Sequence, residues 1–282
     1  MFKFLLIALL LFSKSALSAP NIVVSIAPIH SLVSSITQGI TEPKLLLKSS
    51  QSAHHAHLVP SQLISISRAD LIITMHPNFE QGLVKALSRI DNSKRFTVNA
   101  QANEHEKHEK HFDTYNHHTW LSVKRMRLFT KNITERLSLM DDKNSGKYQQ
   151  NYLKLDQKLL TLKATIKKTL TNTQKPIAGY SNAFEHFIKD NQLTQTTLIT
   201  TQHEQRLSIF KIIKAKKSMR DNQVECLLST IDAPLKRIKT LTEGLNINAA
   251  RIDIIGREFN TGSDQYFKLM NNVANQASQC LK

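Results

Sequence analysis

"NIVVSIAPIHSLVSSIT", residues 21–37, decides the fold class. Its first part, 21–29, is a short apolar run of strand type. It passes directly into "HSLVSSIT", whose apolar residues recur at helical spacing. A strand followed at once by a helix is the opening of a βα unit. The same rhythm continues downstream. "KLLLK" (44–48), "ADLIITM" (69–75) and "RFTVN" (95–99) read as three more buried strands, and "PSQLISISRA" (60–69) as a helix between them. Alternation of this kind builds a parallel sheet covered by helices.

The rhythm stops at "NEHEKHEKHFDTYNHH" (103–118), a polar, charged, histidine-rich loop. Residues 120–173 have helical spacing, broken by the turn-like cluster "DDKNSG" at 141–146. The second helix, 147–170, repeats apolar residues at Tyr152, Leu155, Leu159, Leu162 and Ile166, a long stripe for a globular domain. Strands then resume as "KPIAGYS" (175–181), "TTLIT" (196–200), "VECLLSTI" (224–231) and "ARIDIIG" (250–256), and an amphipathic helix at 263–281 closes the chain. The expected fold is α/β: two lobes, each a small, mostly parallel four-stranded sheet flanked by helices, joined by one long linking helix. The expected division is a signal peptide at 1–19, an N-terminal lobe at 20–143, the linking helix at 144–172 and a C-terminal lobe at 173–282. Two such lobes make a cleft, and ligands of open α/β sheets sit at the carboxyl ends of strands.

Composition narrows the function. The chain has 282 residues, a 40% hydrophobic fraction and only seven glycines and seven prolines, which excludes fibrous and low-complexity classes. "MFKFLLIALLLFSKSALSAP" has a basic start, a short apolar core and small residues up to Ala19. That is the pattern of a secretory signal peptide, too short for a permanent membrane span. No cysteine stands near the expected cleavage point, so a lipid anchor is not expected, and the mature protein should be periplasmic. Cys226 and Cys280, the two cysteines of an exported chain, are expected to form one disulfide. The net charge of +16 is spread over amphipathic helices such as 154–170, without interleaved aromatics. It reads as solvated helix faces, and no nucleic-acid partner is expected.

Known catalytic patterns are missing from the sequence. There is no G-x-G-x-x-G after the first strand, no P-loop and no G-x-S-x-G elbow. "HEKH", at 105–108 and again in overlap at 108–111, is one residue short of the zincin H-E-x-x-H pattern. Histidine is the remaining signal. Twelve are present, and eight fall in two groups: His54, His55 and His57 after the second strand, then His105, His108, His111, His117 and His118 after the fourth. Both loops should open on the carboxyl edge of one sheet. Neutral imidazole is a suitable zinc ligand, and a carboxylate completes such shells. Asp253, on the last strand, approaches the cleft from the other lobe.

These residues resemble a known family, the ZnuA-like zinc receptors of bacterial zinc ABC importers, of the TroA type. "SIAPIHSLVSSITQGITEPKLLL" is similar to the family's opening strand–helix–strand. In "SQSAHHAHLVPSQLISISRADLII", His54 stands six residues before Pro60, with Ala69 and Asp70 before an apolar strand, as the family pattern has it. "HHTWLS" resembles the second ligand motif and places that ligand at His118; "IDIIG" resembles the carboxylate motif and places it at Asp253. Cys226 and Cys280 match the family's cysteine pair. The resemblance implies a binding protein and not an enzyme. Its cargo would be Zn²⁺, held by His54, His118 and Asp253, and its partner the membrane permease of a zinc ABC importer. A monomer is expected.

The pattern is incomplete. The family's third histidine opens a segment like "SNAFEHF", where this chain has Ser181; the acidic neighbour of the first ligand is Ala53, and no proline follows Asp253. Candidates for the missing ligand are His55, His57, His117, His186, a loop histidine or water. Two other readings stand beside the receptor. One is an adhesin on the same fold. The other is a secreted zinc hydrolase, for which Glu80 and Glu185 are the conceivable general bases.

Overall fold

The computed structural model describes residues 19–48, 51–98, 116–171, 173, 175–201 and 207–282. The expected signal peptide, except Ala19, and His105, His108 and His111 lie outside the described residues. Among the described residues no helix is long and apolar enough to cross a membrane.

The N-terminal lobe runs β1 (Ile22–Val24), α1 (Ala27–Ile36), β2 (Lys44–Leu45), α2 (Pro60–Arg68), β3 (Leu71–Thr74), α3 (Gln81–Leu87) and β4 (Arg95–Thr97). The opening stretch switches from strand to helix earlier than the apolar run suggests, because Pro28 falls in the first helical turn, where its missing N–H costs nothing. Pro60 starts α2 in the same way, and Gln62 Oε1 accepts the Val59 N–H that the helix leaves over. Two helices follow: α4 (Val123–Met140), capped by the Ser122 side chain accepting from Arg125 N, and α5 (Ser145–Thr169). The 25 residues of α5 bury one stripe, Tyr148, Leu155, Leu159, Leu162 and Ile166. At ~1.5 Å per residue the helix is about 37 Å long and links the two lobes.

The C-terminal lobe repeats the plan with β5 (Ile177–Gly179), α6 (Glu185–Asp190), β6 (Gln195–Leu198), α7 (Ile209–Asp221), β7 (Cys226–Thr230), α8 (Leu235–Thr242), β8 (Asn248–Ile252) and α9 (Gln265–Cys280). The two sheets have orders β2-β1-β3-β4 and β6-β5-β7-β8, and every pairing is parallel. The central strands β1, β3, β5 and β7 are fully buried, as sheets covered on both faces require. One hydrophobic core runs through α1, α4, α5 and α9 into both lobes, and a smaller cluster around Tyr180, Met219 and Leu241 fills the far side of the second sheet. Cys226 at the start of β7 is bonded to Cys280 at the end of α9, with Cα atoms 5.5 Å apart.

Candidate metal centre

In each sheet the first strand pairs with the second on one side and the third on the other, so chain direction splits at its carboxyl edge. Loops leaving those edges face each other across a cleft of about 430 Å³. The N-terminal wall is Gln51, Ser52, Ala53, His54, Phe79, His118 and Trp120. The opposite wall is Thr230, Asp232, Pro234, Arg237, Ile254, Ile255 and Arg257.

His54 and His118, expected from sequence to be ligands, are brought together here. Their ring centroids are 5.9 Å apart. Two imidazoles sharing a tetrahedral zinc at ~2.0–2.1 Å have centroids about 5 Å apart, a little less than the separation here. Phe79 holds the pair from behind, with its ring 4.4 Å from that of His54 and 5.3 Å from that of His118. The His54 loop also needs Gly82: a Cβ there would come within 1.9 Å of the Ala56 carbonyl oxygen, so only glycine lets α3 lie against this loop.

His118 is buried and oriented. Asn116 Oδ1 accepts both the His118 backbone N–H, at 3.0 Å, and His118 Nδ1–H, at 2.7 Å. An atom that accepts the backbone proton is the amide oxygen, so Nδ1 is the ring donor and the lone pair lies on Nε2. The Asn116 amide nitrogen donates in turn to Asn182 O at 2.5 Å and to Glu185 Oε2 at 3.3 Å, both in the other lobe. Trp120 Nε1 donates to Ile254 O at 2.7 Å, a second tie across the cleft.

Asp253 stands behind the opposite wall. Its Oδ1 accepts the N–H of Ile255 at 2.9 Å and of Gly256 at 3.1 Å, and its Oδ2 accepts the N–H of Arg257. The carboxylate therefore builds the turn that presents Ile254, Ile255 and Arg257, and Gly256 supplies the positive φ of 80° that this turn requires. Three of the roughly four lone-pair sites of a carboxylate are used. The C-terminal wall is otherwise charged: Arg257 Nη2 pairs with Asp232 Oδ1 at 2.6 Å, and Arg237 Nη1 donates to Tyr180 OH at 2.8 Å.

The other candidates are placed elsewhere. His55 and His57 are exposed outside the cleft wall. His117 stacks on His76, with centroids 4.3 Å apart. His186 is buried, its Nε2 donates to Asn116 O at 2.7 Å, and burial lowers its pKa. Ser181 is buried just beyond β5. Among the described residues no three His, Cys, Asp or Glu side chains already converge on one metal position. Glu80 is buried behind Phe79, its Oε2 accepts Met75 N–H at 2.7 Å, and burial pushes its carboxyl up to about 7. Glu185 pairs with Lys189 at 2.6 Å. Neither glutamate lines the cleft.

Sequence reasoning missed Asn116, Phe79 and Gly82. Asn116 had a local signal, standing two residues before His118, where an asparagine side chain can accept from the backbone N–H two residues on. Phe79 and Gly82 had none, since their role is contact across the fold.

Residues 22–280 match the family model described as "Zinc-uptake complex component A periplasmic", ZnuA. The high-affinity zinc uptake system protein ZnuA of Brucella abortus is 24% identical over 305 residues, covering 93% of this chain and 91% of that protein. The structure is similar to that of the substrate-binding protein FpvC from Pseudomonas aeruginosa in complex with Mn²⁺, at a TM-score of 0.80 and 17% identity, covering 93% of this chain and 98% of that one. A crystal structure of ZnuA superposes at a TM-score of 0.77 and 18% identity, covering 94% of this chain and 100% of that one.

Proposed function

The chain belongs to the ZnuA family of periplasmic zinc-uptake components, and from that premise we propose that it captures a divalent metal ion between its lobes and hands it to an ABC importer. The observation that carries the proposal is the pair His54 and His118 in one cleft, with His118 turned by Asn116 so that Nε2 is the donor atom. Zinc is the favoured cargo, because two borderline imidazole donors with one carboxylate are a set suited to it. His54 and His118 form the N-terminal half of the site. Asp253, which keeps a lone pair beyond its three backbone bonds, contributes from the other lobe as the cleft tightens. Water takes the place that Ser181 leaves. The crossing bonds of Asn116 and Trp120, with α5 spanning both lobes, keep that tightening small. The receptor would be exported, cleaved near Ala19 and act as a monomer on its permease.

Imidazole binds metal only when neutral. Affinity should therefore fall as pH drops below about 6.5. Calorimetric titration of the mature chain with Zn²⁺, beside His54→Ala and His118→Ala, tests the reading. One strong site per chain, lost in both variants, is expected. Wild-type protein without stoichiometric binding would sink it. The hydrolase reading would need ester or phosphate turnover by the zinc-loaded chain, and its two conceivable bases lie outside the cleft wall.

A further inference from the structure

Helix α7 carries a surface that the metal site does not use. Ile209, Phe210 and Ile213 are 78%, 74% and 62% exposed. They occupy the first turns of the helix and point away from Ala215 and Met219, whose burial seats α7 on the lobe. Single exposed apolar residues need no explanation, but three large ones grouped at one helix end mark a contact surface. At helical spacing Lys217 and Arg220 continue the same outward face, and Lys214 flanks it; all three are exposed. The one acidic residue of α7, Asp221, is paired with Lys217 at 2.5 Å.

The chemistry of this face selects its occupant. Lysine is depleted at protein–protein interfaces. Aromatic and aliphatic side chains beside lysine and arginine are instead the composition of a helix lying on an anionic bilayer. The chain's net charge of +16 favours the same partner at long range. Placement agrees: α7 follows β6, so its first turn leaves the carboxyl edge of the sheet, the edge on which the cleft opens.

We propose that the first turns of α7 dock this protein on an anionic phospholipid surface. Ile209, Phe210 and Ile213 enter the headgroup region, while Lys214 and Arg220 meet lipid phosphates. Docking of this kind holds the cleft edge at the membrane and does not depend on the metal reading.

The test is co-sedimentation of the metal-free mature chain with vesicles. Partition onto phosphatidylglycerol/phosphatidylethanolamine vesicles should exceed that onto phosphatidylcholine vesicles at least tenfold. It should fall at least tenfold in Phe210→Ser/Ile213→Ser and in Lys214→Glu/Arg220→Glu. It should stay within twofold in Lys154→Glu/Lys158→Glu, a charge-matched change on the exposed face of α5. Equal loss in the α5 variant would reduce the effect to bulk charge and overturn the proposal. So would unchanged binding by the Phe210/Ile213 variant, or binding to permease-bearing nanodiscs with none to anionic vesicles. Thermal melting of each variant checks that it folds.

Discussion

The two lobes share one strand order but meet the cleft with different chemistry. The N-terminal wall is aromatic: His54, Phe79, His118 and Trp120 form a packed cluster, with imidazoles aimed by buried neighbours. The C-terminal wall is charged: Arg257 with Asp232, Arg237 with Tyr180, and Asp253 spent largely on its own turn. Their supports differ as well. The first sheet sits on the main core, whereas the second has that core on one side, with the β7–α9 disulfide in it, and a small separate cluster on the other. A repeated topology thus leaves function to the loops. One lobe lines the cleft with two imidazoles, and in the other the nearest carboxylate, Asp253, stands behind the wall.

Removing the covalent bond is the strongest way to break this balance. The bridge closes a separation of 54 residues. Chain-entropy reasoning gives such a loop about 4 kcal/mol. Cys226→Ala/Cys280→Ala should lose that much unfolding free energy in a denaturant titration. Zinc affinity below the unfolding transition should change little, since neither cysteine lines the cleft.

The asymmetry of donors comes next. Zinc binding of about 10–16 kcal/mol shared over four ligands makes one ligand worth about 2.5–4 kcal/mol. His118→Ala should weaken zinc binding by that amount, roughly 70- to 1,000-fold. Asp253→Ala should cost less, because its oxygens are already engaged by three backbone N–H groups. Competitive titration with a zinc dye compares the two. A larger loss at Asp253 would move the stronger donor to the C-terminal lobe.

The core of the N-terminal lobe has a pH signature of its own. Burial raises the Glu80 carboxyl from 4.5 to about 7. The unfolded chain releases this proton near 4.5, while the folded chain keeps it until about 7. Stability from this group is therefore full below pH 4.5 and lost as pH rises to 7. At ~1.4 kcal/mol per unit the loss is about 3 kcal/mol. Glu80→Gln should remove that slope, so the variant gains on the wild type between pH 5 and 8 in parallel urea melts. Parallel curves for the two proteins would mean that Glu80 ionises freely.

Much of the frame was legible from local pattern. Eight apolar runs marked eight strands, the turn cluster at 141–146 marked the break before α5, and Pro60 opened a helix, while the helix start at Pro28 was hidden inside the apolar run 21–29. The family resemblance, carried by the spacing of His54 to Pro60 and of His118 to Trp120, singled out two histidines that line the cleft wall. What remained hidden is contact between distant segments. Phe79 sits behind two histidines from different loops, and Gly82 is required by the backbone of Ala56. His186 illustrates the converse: a histidine in the right segment of sequence turns its ring to a backbone carbonyl behind the site.

The smallest expected effect separates orientation from bracing at Asn116. This residue does two jobs with one side chain: its oxygen turns His118, and its nitrogen ties the ligand loop to Asn182 and Glu185. Losing an orienting partner of a metal-bound histidine typically costs ~10–100-fold in affinity. Asn116→Ala should show that loss together with a lower melting temperature. Asn116→Asp keeps an oxygen acceptor for Nδ1–H but sets a carboxylate beside Asn182 O and the Glu185 carboxylate. It should therefore melt lower than the wild type while holding zinc affinity within a few-fold. If Asp loses affinity as far as Ala does, the lobe bracing, and not the turn of the ring, is what prepares the N-terminal wall for metal.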